Sequence, residues 1–226
     1  MYGNSIIFAD SEENKLMNMR KLILSLMALA LCAGAFAQQG TWFCSKLGAK
    51  LSYTRTGAAQ TESYQYVVTG ITQAGDKTTI TFQTIIPGVD SPKDCQVWTE
   101  GGWFHMDLNS VMGQYGDAMG ATGNAPLVPE NPTAGQKLAD CSVEIPGILT
   151  TASFSNVRMS RRETVTVPAG TFDCWVLEYA TDSKMAIVKS QSRTETWLAK
   201  GVGEVKSVTY DKKGKVISTV ELSAVE

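Results

Sequence analysis

Apolar and polar residues alternate with a period of two over most of the chain beyond residue 60, the pattern of strands with one buried face. "TESYQYVVTGIT" (61–72) is rich in β-branched and aromatic residues and puts Tyr64 and Tyr66 on one face. "KTTITFQTII" follows the turn cluster at 73–76. "CQVW" and "WFHMDL" flank Gly101 and Gly102, which suit the positive φ angles of a hairpin turn. Further on come "CSVEI", "FSNVRMSRRETVTV" and "TFDCWVLEYA", with Pro168-Ala169-Gly170 as the turn between the last two. "KMAIVKSQSRTETWLA", "GVGEVKSVTY" and "KVISTVEL" end the series, and Gly214 in "DKKG" is placed for a left-handed turn residue. The pattern predicts about ten strands. Short connections favour antiparallel neighbours, so the class is mainly β.

The stretch 109–136 breaks the alternation. Val111, Met112, Tyr115 and Met119 have roughly helical spacing, although Gly113 and Gly116 weaken a helix. One short helix is expected here. Its flexible methionines fit either a lid over an apolar ligand or a plug that completes the core.

The N-terminal region reads differently. "MRKLILSLMALALCAGAFAQQG" has a basic start at Arg20 and Lys21, an apolar run and an A-x-A exit, the marks of a secretory signal peptide cleaved between Ala37 and Gln38. The run is shorter than the roughly 20 residues that span a bilayer. Cys32 as a lipid anchor would want a small residue before it, and Leu31 is bulky. Asp10, Glu12 and Glu13 are foreign to a signal's basic start, so Met17 and Met19 stand beside Met1 as start codons. Residues 1–37 are therefore expected to be leader and signal, and 38–226 one β-rich domain. The protein is expected to be exported, periplasmic or envelope-associated, and not integral to the membrane.

Charge and cysteine content refine this picture. The formal net charge is −2, and the expected leader carries equal numbers of acids and bases, so the domain is no more charged than the chain. No basic stripe is visible, which gives no reason to expect nucleic acid. Cys44, Cys95, Cys141 and Cys174 remain after the signal. An even number in an exported chain reads as disulfides. Cys95 and Cys174 both look mid-strand, whereas Cys44 and Cys141 lie near the starts of elements, which favours the pairs Cys95–Cys174 and Cys44–Cys141. Zinc would want closer cysteine pairs, and a reactive thiol at Cys174 would want a neighbour that lowers its pKa.

No catalytic signature stands out. His105, the single histidine, shares a strand face with Asp107 and could be an oriented base, or simply part of an exposed face. Arg158, Arg161 and Arg162 could form an anion site or protect a strand edge. Trp98, Trp103, Trp175 and Trp197 could stack on a sugar or pack in the core. No enzyme activity, cofactor or metal is expected.

The blocks "ETVTVPAGTFDCWVLEY", "TETWLAKGVGEVKSVTYDKKGKVISTVEL", "DCQVWTEGGWFHMDLNSVM" and "PTAGQKLAD" cover most of 94–222 and resemble the TapB-like family of exported bacterial proteins. The resemblance implies a single large curved antiparallel sheet, a half-barrel similar to those of periplasmic lipoprotein carriers. It also implies a concave apolar face, and it brings no activity and no site residues. Two roles follow as expectations. One is binding of a lipid-like, apolar or amphipathic ligand on the concave face beneath Val111, Met112, Tyr115 and Met119. The other is an envelope module that acts through protein contacts.

Overall fold

Alternating sequences of this kind form strands because one pleated face can be buried while the other meets solvent. In the computed structural model of the protein, residues 40–57, 60–88, 92–108, 121–146 and 150–226 are described, and Gln38–Glu226 forms one compact unit. Its strands are β1 (Lys50–Gly57), β2 (Thr61–Ala74), β3 (Lys77–Ile85), β4 (Lys93–Glu100), β5 (Trp103–Met106), β6 (Thr122–Gly123), β7 (Val128–Pro129), β8 (Gln136–Lys137), β9 (Cys141–Ile145), β10 (Thr150–Val167), β11 (Gly170–Met185), β12 (Val188–Ala199), β13 (Gly203–Asp211) and β14 (Val216–Val225). They make one antiparallel sheet of fourteen strands, ordered β6-β9-β10-β11-β12-β13-β14-β1-β2-β3-β4-β5-β7, with β8 paired to β10 outside that path.

The count exceeds the expected ten for physical reasons. Strands β6, β7 and β8 are two residues long, too short to carry a period. Strand β1 has only Leu51 and Tyr53 as apolar inward residues before Arg55 interrupts the alternation. It nevertheless stands at the middle of the sheet, with Leu51 opposite Val225 of the last strand and Tyr66 of the next. The expected hairpin turn is present, with Gly101 at φ 58° and Gly102 at φ 81°. The turn between β11 and β12 falls at Ala186-Ile187, inside an apolar run that reads as strand, and Ala186 takes φ 51°. The expected helical positions Val111, Met112, Tyr115 and Met119, and the cleavage residues Ala37 and Gln38, lie outside the described residues.

One core runs through the sheet. It joins Leu51 and Tyr53 of β1, Ile80 and Phe82 of β3, Val97 of β4, Leu177 of β11 and Leu222 of β14 with Trp42 and Phe43 of the segment before β1. That segment is fastened by Trp42, whose Nε1–H donates to Pro129 O at 2.8 Å, and by Gly201 N–H to Thr41 O at 2.8 Å.

Neither predicted disulfide is formed, and all four cysteines are thiols. Cys95 and Cys174 lie on β4 and β11, with six strands between them in the sheet order. They also point to opposite faces. Cys95 shares its face with the inward Val97, whereas Cys174 is out of phase with the inward Leu177 and Tyr179. Cys95 Sγ lies 3.7 Å from Thr84 Oγ1, and Cys174 Sγ donates to Phe172 O at 3.7 Å. Cys44 lies near Tyr53 on one wall of the curved sheet and Cys141 near Tyr179 on the other. Burial, then the charges of Asp173 and Glu163, pushes the Cys174 thiol up to about 12, the opposite of an activated nucleophile.

The expected outcome of thiol titration on protein spanning Gln38–Glu226 follows. Unfolded without reductant, it should release four equivalents to Ellman's reagent. Native, it should react first at Cys141, because Cys44, Cys95 and Cys174 are buried. Two equivalents, or none, would restore the bridges.

Candidate functional site

The sheet is one layer, so its concave face can be buried only by curling towards itself. Residues of β1 to β5 and of β10 to β14 therefore line a single cavity of about 350 Å³. Its lining is sorted by strand. On one wall stand Tyr53, Tyr64, Tyr66, Phe82, Val97, Phe104 and Met106, and on the other Phe154, Leu177 and Tyr179. Between them, β12, β13 and β14 present a floor rich in hydroxyls, Thr194, Thr196, Ser207, Thr209 and Ser218, beside Leu198 and Val220. The floor is paired across strands, Thr194 with Thr209 at 3.1 Å and Thr196 with Ser207 at 3.2 Å.

The aromatic wall is continuous. Tyr53 and Tyr64 face each other across β1 and β2 and stack at 5.1 Å and 11°. Tyr66 packs on Tyr53 at 5.1 Å and edge-on to Phe82 at 5.0 Å, and Phe82 meets Phe43 at 4.6 Å. Each such pair contributes about 0.5–1.5 kcal/mol beyond its buried area. On the far wall Phe154 meets Tyr179 edge-on at 5.6 Å. Gly203 admits Phe43 to this cluster. It takes φ 108°, and a Cβ there would lie 3.4 Å from Phe43 Cδ2 and from Trp42 O.

One ionisable side chain joins the hydroxyl floor. Glu204 pairs with Leu198 across β12 and β13, and both line the cavity. Lys206 pairs with Trp197, so Val205 is an extra residue, a β-bulge that brings Glu204 onto the face of Ser207 and Thr209. Burial raises the Glu204 carboxyl to about 7, and the Arg55 guanidinium only partly opposes this. Burial likewise pushes the hydroxyls of Tyr53, Tyr64 and Tyr66 above the usual phenol range, with neighbouring tyrosine and Glu204 charge adding to it at Tyr53 and Tyr64.

The residues singled out in the sequence fall elsewhere. His105 stacks on Trp98 at 5.0 Å and 6°, and Lys77 Nζ lies 4.8 Å from the Trp98 ring centroid. Asp107 Oδ2 accepts from Gln96 N–H at 2.9 Å. The neighbours Phe104 and Met106, not His105, face the cavity. Arg158 and Arg161 are engaged by carboxylates: Arg158 Nη2 lies 2.6 Å from Glu178, and Arg161 lies 2.8 Å from Glu178 and 3.1 Å from Glu195. Arg161 bridges Glu178 and Glu195, which stand opposite each other on β11 and β12 and would otherwise repel. Arg162 Nε donates to Asp173 Oδ1 at 3.1 Å. The indole of Trp197 donates to Glu163 on the face away from the cavity, while Trp103 is exposed. A larger depression of about 600 Å³ beside Gly101 and Gly102 is shallow and polar, with Asp76, Glu100, Glu130 and Lys200 in its lining. Among the described residues no group of acids, cysteines or histidine is arranged to hold a metal ion.

Residues 46–222 match the family model described as DUF3108-like. The blocks that carry the TapB-like resemblance lie wholly within this match, which bears a different family description. A protein from Bacteroides fragilis NCTC 9343, described as exported and of YmcC-like fold, superposes with a TM-score of 0.68 at 16% identity, over 81% of this chain and 98% of that one. A protein from Parabacteroides distasonis ATCC 8503, described as a lipoprotein, gives 0.68 at 16% identity, over 83% and 99%. At that identity the likeness establishes the fold. No curated protein matches the chain.

The raised Glu204 carboxyl makes stability depend on pH in a stated direction. The folded state holds this proton more tightly than the unfolded chain, so stability is complete below about 4.5 and is lost as pH rises through about 7. Glu204 is only half-buried, so solvent screens part of the cost, which at pH 8 is on the order of 1–3 kcal/mol. Glu204→Gln should therefore melt roughly 2–8 °C above wild type at pH 8. The gap should shrink by more than half at pH 5. An equal gap at both pH values would place the Glu204 carboxyl in ordinary solvent.

Proposed function

The chain belongs to the DUF3108-like family, and from that premise we propose that it is an exported binding protein that holds an amphipathic ligand in its concave cavity. The observation that carries this reading is the division of the lining into two apolar walls and a hydroxyl floor. Hydroxyls brought inside add little to packing, so their concentration on one side of the cavity favours contact with a polar group over core packing alone. A cavity of about 350 Å³ lies within the range of small-molecule sites. Residues of β12 to β14 offer donors and acceptors to a polar head, and the aromatic wall offers contact area to an apolar body. Binding without chemistry fits the placement of His105, which is stacked on Trp98 away from the cavity. Export is supported by the A-x-A signal ending at Ala37 and by the exported and lipoprotein descriptions of the two similar structures. The ligand surface favoured here is formed by Tyr64, Tyr66, Phe82 and Leu177. It replaces the segment from Val111 to Met119 as the basis for the reading, since that segment lies outside the described residues.

The test is a cavity-filling substitution. Protein spanning Gln38–Glu226 should enhance the fluorescence of N-phenylnaphthylamine, an apolar reporter. Ser207→Phe, which puts a ring into the cavity from its floor, should weaken reporter binding by about tenfold or more, the scale of a lost apolar contact surface. Circular dichroism should show the fold retained. Equal reporter binding by a folded Ser207→Phe variant would place the site elsewhere.

A further inference from the structure

Glu204 is the feature of the cavity that an uncharged amphipathic ligand leaves unexplained. The carboxylates on the opposite face of the neighbouring strands have cationic partners: Glu178 and Glu195 with arginines, and Glu221 with Lys206 Nζ at 2.8 Å. The Glu204 carboxylate makes no hydrogen bond or ion pair among the described residues. Four tyrosines on three strands, Tyr53, Tyr64, Tyr66 and Tyr179, are close enough to feel its charge. The hydroxyl of Tyr53 donates to the backbone oxygen of Glu204 at 3.0 Å, which fixes this part of β13 against the aromatic wall. The remaining charged neighbour, Arg55, also lines the cavity; it is exposed and forms no ion pair with Glu204 among the described residues.

The Glu204 carboxylate is half-buried and lines the cavity without an ion pair, so a cation brought to it gains an attraction that the fold does not already satisfy. Aromatic faces add to the attraction, because the ring quadrupole is negative above the plane and draws ammonium groups, quaternary ones included. We propose that the cavity binds an amphipathic organic cation, its ammonium group held between Glu204 and the tyrosine rings and its chain lying against Phe82, Val97 and Leu177. This assignment rests on the concave cavity being a ligand site and names the chemical class of that ligand. An anionic head would meet the Glu204 carboxylate, with Arg55 at the same cavity as the one cationic side chain in the lining to attract it.

The test compares three probes that share one chain: decyltrimethylammonium, decanol and decanoate, each below its micelle concentration, by isothermal titration calorimetry at pH 8. Wild-type protein should bind the cation about tenfold or more tightly than decanoate. Glu204→Gln should weaken the cation about fivefold or more and leave decanol within about twofold. At pH 5.5 the wild type should lose most of its cation preference. The charge of decyltrimethylammonium does not titrate, and the other charged or titratable groups facing Glu204 are Arg55 and tyrosines whose hydroxyls burial keeps neutral. Equal binding of the three probes, or a cation preference that survives Glu204→Gln and pH 5.5, would overturn the headgroup assignment and leave the ligand site standing. Failure of all three probes to bind would overturn both.

Discussion

A one-layer sheet has no partner layer, and the rest of this structure follows from that constraint. Apolar residues on one face of fourteen strands must be taken out of water, and with no second sheet among the described residues the sheet curls until its own flanks face each other. The pairing of β1 with β14 puts the beginning and end of the domain side by side at the middle of the sheet. Tyr53 then stands on the concave face with Tyr64 and Tyr66, and the segment with Trp42 and Phe43 packs against the same cluster. Curling fills the concave face incompletely. The volume left between the walls is the cavity.

Polar groups are distributed around this cavity in two ways. On the opposite face, Glu178 is nearly buried, and burial alone would raise its carboxyl. Hydrogen bonds from Arg158 and Ser160 and the charges of Arg158 and Arg161 reverse that and hold it below the usual carboxylate range. At the cavity Glu204 is half-buried, its loss of solvent is opposed only by the Arg55 charge, and its carboxyl is raised to about 7. The two glutamates differ in partners rather than in chemistry. One belongs to a satisfied ladder that holds β10, β11 and β12 in register. The other is a charge without an ion-pair partner among the described residues.

Much of the architecture is legible in the sequence, and the parts that are not have identifiable causes. Gly101 and Gly102 mark their turn because only positive φ closes it, and Tyr64 and Tyr66 share a face because strand alternation requires it. Strand β1 is hidden because its inward residues, Leu51, Tyr53 and Arg55, change from apolar to charged within five positions. The β11–β12 turn is hidden because Ala186 and Ile187 carry none of the usual turn chemistry. Cysteine parity misleads for the same geometric reason that alternation succeeds: Cys174 is in phase with Val176, but the cavity face of β11 belongs to Leu177 and Tyr179. Glu204 is the least legible residue of the site. Period-two reading places it with Lys206 and Val208, and only the bulge at Val205 turns it inward. Thr194 and Thr196 look like a solvated face until the curl of the sheet makes that face the floor of a cavity.

The central claim is that this cavity exists to hold a ligand whose charge Glu204 answers. Native mass spectrometry of the protein isolated from its own host without detergent tests it most directly. The expected result is wild-type protein carrying a basic, amphipathic adduct that is depleted in Glu204→Gln protein prepared in parallel. Bare protein in both preparations, or the same adduct at the same occupancy in both, would contradict it.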